Sequence, residues 1–185
     1  MDRKDGIMKL KTIKIISTIG IFLLCFPLHF IYKWIPNGFT SIFTPVNESI
    51  WEHMKLIFTS TILWSLIDYI LLKKNDIKYN NFFTQLFLSS FLSIPIYLTL
   101  FLPIYYKIGE NMFVSISIMA IVIIITQILS YYILKSENIK ILNYVSVGSI
   151  IIMYIIFGYL TYNAPHNQLF LDTKEEKYGI NNYNV

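Results

Sequence analysis

Five long stretches of this chain carry almost no charge, and that limits it to very few folds. Ile15 to Tyr32, Phe82 to Tyr106, Met112 to Leu134 and Ile141 to Ala164 have no Asp, Glu, Lys or Arg. Leu56 to Leu72 has only Asp68. A helix needs about 20 residues to cross a hydrocarbon layer of ~30 Å. Four of the blocks reach that length directly. Leu56 to Leu72 reaches it if its helix starts near Pro45 or Asn47. The blocks do not alternate polar and apolar residues as barrel strands must. Backbone groups in lipid must pair within their own segment, so the blocks are expected to be helices. The expected fold is an all-α integral membrane protein with about five transmembrane helices near 12–34, 45–72, 81–103, 111–134 and 140–163.

Composition agrees. The 185 residues are 55% hydrophobic and 14% charged, with a mean hydropathy of +0.56. A soluble domain carries about 25% charge. The net charge of +4 is spread between the apolar blocks. A nucleic-acid partner would need a continuous basic face, so none is expected. Cys25, the single cysteine, excludes an intrachain disulfide and a cysteine-based zinc site, and reads as a packing residue.

Lysine and arginine placement sets an expected orientation. With five spans, ten basic residues fall on the side of the amino terminus and five on the other. The amino terminus is expected in the cytoplasm and the carboxyl terminus outside. Trp34, Trp51, Tyr105 and Tyr106 would mark the outer interface. The chain then divides into a five-helix membrane domain, 1–163, and an extracytoplasmic tail, 164–185. The first block is too long for a signal peptide and lacks a small-x-small cleavage site, so it reads as a retained helix. Pro27 and Pro95 should bend their helices, and Pro103 should end the third.

Chemistry concentrates in Pro45 to Lys55, which holds Asn47, Glu48, Ser49, Trp51, Glu52, His53 and Lys55 just before an apolar run. Ionisable groups at a membrane boundary are costly unless something holds them. Ser49-Ile50-Trp51-Glu52 fits a capping box, with Ser49 as N-cap and Glu52 reaching back. A start at Thr44-Pro45 is the alternative. Glu48, Glu52, Lys55 and Thr59 would share one helix face, with His53 about 100° from Glu52. One helix could thus offer two carboxylates and an imidazole to a common cavity. His29, His53 and His166 all fall on the outer side. Imidazole with carboxylate suits Zn²⁺ and related ions, so His29, Glu48, Glu52, His53 and His166 are candidate ligands, assembled across helices because no HExxH or HxH spacing occurs. Asp68 is a second functional candidate, or it snorkels towards Lys73 or pairs with another helix. The tail, with Leu169, Phe170, Leu171, Tyr178 and Ile180, is expected to fold back over the helix ends, with His166 or Asp172 reaching the Asn47–Lys55 stretch and Asp172 opposite Lys55.

Phe43 to Leu56 resembles the signature of an uncharacterised family of small multi-pass bacterial membrane proteins, approximately P-V-N-E-S-x-W-E-H-x-K-L. Ala164 to Asp172 and Lys177 to Ile180 are similar to that family's ending, although Ala164 stands where members often have a proline. The resemblance implies a multi-pass protein of a bacterial cell membrane with unknown function, and marks Asn47, Glu48, Ser49, Trp51, Glu52, His53 and Lys55 as signature positions without roles. It supplies no activity, substrate or cofactor. Three classes of function follow from the residues: binding or transport of a small cation, amine or lipid at the outer end of the second span; an interaction or assembly protein; or an intramembrane enzyme using a metal or acid/base pair.

Overall fold

A computed structural model describes residues 8–180. Six helices account for most of it. The long ones are α1 (Leu10–Trp34), α3 (Ile50–Lys74), α4 (Phe82–Ile108), α5 (Met112–Lys135) and α6 (Lys140–Tyr162). These five are long and apolar enough to cross a membrane. A short helix, α2 (Gly38–Phe43), precedes α3, and a two-stranded hairpin, β1 (Leu171–Asp172) and β2 (Lys177–Tyr178), follows α6. Its register pairs Leu171 with Tyr178 and Asp172 with Lys177.

The boundaries differ from expectation for local reasons. α3 starts at Ile50, not near Pro45, because Ser49 caps it: the Ser49 hydroxyl accepts from Glu52 N at 3.3 Å. Only that half of the capping box forms. The Glu52 carboxylate turns away to accept from Val46 N at 3.0 Å, and Ser49 N donates to Asn47 Oδ1. α4 runs through Pro103, whose fixed φ suits a helix although it lacks a donor. It ends at Gly109, where φ is 77°. Asn37 opens α2 with a reciprocal capping box to Thr40, a signal missed in the sequence.

α1, α3, α4 and α5 close a ring in that order, and α6 packs on α4 with α2 against it. α3 is the most buried helix. The interior is rich in small polar residues: Ser17, Ser60, Ser89, Ser90, Ser93 and Ser130 are buried. Several of these hydroxyls return to a carbonyl three or four residues back. The surface carries large apolar side chains, among them Ile19, Leu66, Ile128 and Ile155. Small residues inside and aliphatic ones outside suit packing in lipid, where close helix approach rather than water exclusion holds a bundle together. Gly20 shows this: a Cβ there would lie 2.0 Å from the Trp64 indole, so α1 and α3 approach as closely as they do only because Gly20 has none.

One end of the bundle is stapled by Asn81, itself at φ 50°. Its amide donates to Glu137 O at 2.7 Å and accepts from Ile139 N at 2.9 Å, tying the α3–α4 connection to the α5–α6 connection. Lys73, Lys74, Lys78, Lys135 and Lys140 cluster around this end. At the opposite end lie α2, the Pro45–Ser49 segment and the tail.

Candidate functional site

The tail builds one wall of the site. Trp51 N donates to Leu169 O at 2.9 Å, and the Trp51 ring packs on Phe170 and Phe157. Asp172 Oδ2 accepts from Glu48 N at 2.9 Å, while its other oxygen accepts from Lys174 N and Glu175 N. Asn47 Nδ2 donates to Gly179 O, and Ile180 N to Thr161 O. The tail therefore folds back over the helix ends as its apolar residues suggested. Asp172 serves as a cap for loop backbone, and the expected contact with Lys55 does not form, because Lys55 pairs with Glu52.

With the Glu48 backbone so fixed, its carboxylate meets two imidazoles. His29 Nε2 and His53 Nε2 are 3.1 Å apart. Glu48 Oε2 lies 3.6 Å from the first and 3.7 Å from the second. The orientation of His53 is set from behind. Its Nδ1 lies 2.9 Å from Ser49 O, a carbonyl that can only accept, so Nδ1 carries the proton. In the neutral ring Nε2 then presents a lone pair to the cluster. His29 comes from α1, one turn beyond buried Cys25, at the end that Pro27 enters. The Glu48 carboxyl, outside the helices, is held down to about 2, chiefly by the neighbouring His29, with desolvation opposing and His53 and Lys174 adding to the effect.

Lys174 sits at the rim, 3.7 Å from Glu48 Oε2 and 3.4 Å from Glu110 Oε1. Burial is the largest single influence and lowers its pKa, but Glu48 and Glu110 together outweigh it and raise the pKa. Thr173 Oγ1 donates weakly to Glu110. Glu110 and Lys174 were not singled out from sequence as site residues. Both stand in polar connections remote from the motif, and only the fold joins them to it.

The cluster opens on a cavity of about 420 Å³ between α1, α3, α4, α5 and the tail. Its floor is apolar, including Leu56, Ile57, Phe101, Ile116 and Met119, and its polar side holds Glu48, His29, His53, Glu110 and Lys174.

The other candidates go elsewhere. Glu52 faces away from His53 into a closed network. It pairs with Lys55, and its Oε1 accepts from Thr161 Oγ1 at 3.0 Å. Lys55 Nζ also donates to Ser41 O at 2.8 Å and Thr161 Oγ1 at 2.7 Å, and both side chains are buried. The two signature carboxylates thus do not share a cavity: Glu48, in the loop before α3, meets the histidines, and Glu52, in the first turn of α3, meets α6 and the Lys55 that reaches α2. His166 stacks on Tyr178, with ring centroids 4.5 Å apart, outside the cluster. Asp68 pairs with Lys14 of α1 at 2.6 Å, not with Lys73, and accepts from Ser17 at 2.6 Å. Gln127 of α5 completes that buried group.

Among the described residues, His29, Glu48 and His53 form the group of metal-ligand side chains whose donor atoms converge, all within 4.8 Å of one another. The class so defined is an all-helical protein of five membrane-length helices with a three-donor cluster at one end. The chain belongs to a family of unknown function, DUF6512, whose family model matches residues 2–180. Comparison with curated proteins and with solved structures returns no match.

Proposed function

We propose that the chain binds a divalent metal ion, Zn²⁺ by donor preference, through His29 Nε2, His53 Nε2 and one oxygen of Glu48. The observation that carries this is the size of the triangle. Two ligands on a tetrahedral ion with bonds of ~2.0–2.1 Å stand ~3.3 Å apart. The edges here are 3.1, 3.6 and 3.7 Å. Three protein donors with a fourth position open is the pattern of reactive rather than structural zinc, which is closed by four. The Ser49 carbonyl behind His53 is the kind of outer partner that fixes a ligand's tautomer.

The lysine asymmetry supports an orientation with this end outside the cytoplasm of a bacterial cell membrane. Asp68, the second polar group along the same helix, is paired with Lys14 and accepts from Ser17 on α1 and so is held apart from this cluster.

Equilibrium dialysis of the full chain in a maltoside detergent against Zn²⁺ tests the proposal. One equivalent should bind. His53→Ala and Glu48→Ala should each weaken binding by 100-fold or more, and His166→Ala should not change it. Equal binding by wild type and His53→Ala would overturn the site.

A further inference from the structure

We propose that the cavity beside the cluster holds the single alkyl chain of an anionic amphiphile, with its phosphate or carboxylate head on the metal. This rests on the metal reading above and adds the class of ligand. Three observations carry it. First, the cavity has two chemically distinct ends, an apolar floor under Leu56, Ile57 and Met119 and a polar side at His29, Glu48 and His53. Its volume of about 420 Å³ lies in the range of small-molecule sites, ~300–1,000 Å³.

Second, the rim is apolar where it meets the bundle surface. Phe26, Phe30 and Met112 line the cavity and are 41%, 43% and 67% exposed. They belong to α1 and α5, whose outer faces are those a bilayer would cover. An alkyl chain can therefore pass sideways from lipid into the cavity without crossing water, which a hydrophilic ligand cannot.

Third, charge selects the head. The lining carries Glu48, Glu110 and Lys174, whose formal charges sum to −1. A divalent ion changes that to +1. The open coordination position and Lys174 then both favour an anionic oxygen. The same site without metal repels it, so amphiphile binding must depend on the metal, and a cationic head is rejected when the metal is present.

Native mass spectrometry of the full chain released from maltoside counts zinc and amphiphile in one spectrum. The probes are dodecyl phosphate, laurate and dodecyltrimethylammonium, each with Zn²⁺ or with chelator. Dodecyl phosphate, laurate or both should bind at one per chain with Zn²⁺, and their ratio tells which head is preferred. Chelator should lower occupancy at least tenfold, and the ammonium probe should not bind. Ile116→Trp, or the milder Ile116→Phe, fills the floor and should keep one zinc while losing amphiphile at least tenfold; the retained zinc shows that the variant is folded. A zinc-loaded variant that binds amphiphile as wild type does would overturn the cavity assignment, as would equal binding of the cationic probe. A wild-type chain that takes no zinc overturns the metal reading. In that case amphiphile binding that Ile116→Trp abolishes leaves the chain's seat standing, and binding that it leaves unchanged removes that too.

Discussion

His53 Nδ1 lies 2.9 Å from the carbonyl oxygen of Ser49, the residue that caps the same helix. The first turn of α3 therefore does two jobs. It starts the helix, and it fixes which nitrogen of His53 faces His29 and Glu48. Moving the helix start by one residue would rotate His53 by about 100° and disperse the cluster. Ser49→Ala should then cost about 1 kcal/mol of stability through the lost cap. It should weaken zinc about tenfold through looser ligand positioning, which dialysis alongside thermal melting would separate. Unchanged zinc affinity would show that the carbonyl holds His53 without help from the cap.

The Glu52–Lys55 pair is fully buried and satisfied by Ser41, Thr161 and Val46. Removing one charge leaves the other stranded. Lys55→Met should destabilise by about 3–5 kcal/mol, and the double variant Glu52→Leu with Lys55→Met should recover most of that. Unfolding in mixed micelles would measure both; a double variant as weak as the single one would mean that the network's hydrogen bonds, not its charges, hold α2 and α6.

The tail is held by Asp172, whose oxygens take three backbone donors from two segments. Asp172→Asn should cost about 1–3 kcal/mol, because an amide cannot accept at both ends. Deleting residues 167–185 should lower thermal stability further and reduce zinc affinity, since Glu48 N loses its anchor. Full stability of the truncated chain in detergent would reduce the tail to a tether.

Acid dependence follows from Glu48. Its carboxyl is lowered from 4.5 to about 2, chiefly by His29, whose Nε2 lies 3.6 Å away. A lowered carboxyl stabilises the fold above its ordinary pKa, and that contribution fades as pH falls towards 2. In metal-free buffer Glu48→Gln should be weaker than wild type by no more than about 1 kcal/mol near pH 6, because the group is over a third exposed to screening solvent. The gap should close between pH 4.5 and 2. Melting curves across that range check it, and a gap that stays constant would mean that the contact with His29 does not depend on the charge.

At the glycine contact, Gly20→Ala should overpack α1 against Trp64 and cost about 1–3 kcal/mol. Zinc stoichiometry should hold, because Gly20 lies two to three turns from His29 along the helix. Loss of zinc would show that α1 moves as one rigid rod.

The five spans were legible because uncharged length is a coarse signal that packing does not alter. The tail's return was legible from Leu169, Phe170 and Tyr178, apolar residues that a solvated tail would not favour. The division of Glu48 from Glu52 was not. A helical wheel puts them on one face, but Glu48 precedes the helix, so its direction is set by a loop and by Asp172, 124 residues away. Asp68 was visible as an anomaly, yet its partner Lys14 read as one of a group of flanking lysines. Glu110 and Lys174 had no local signal at all, since each is an ordinary charge in a polar connection until the tail brings Lys174 to the cavity.

X-ray absorption at the zinc edge of the purified full chain tests the central claim most directly. The account predicts one zinc per chain with two imidazole nitrogens and oxygen ligands at ~2.0–2.1 Å, and loss of the imidazole scattering pattern in the His29→Ala, His53→Ala double variant. A wild-type spectrum without imidazole scattering, or one identical in the double variant, would contradict it.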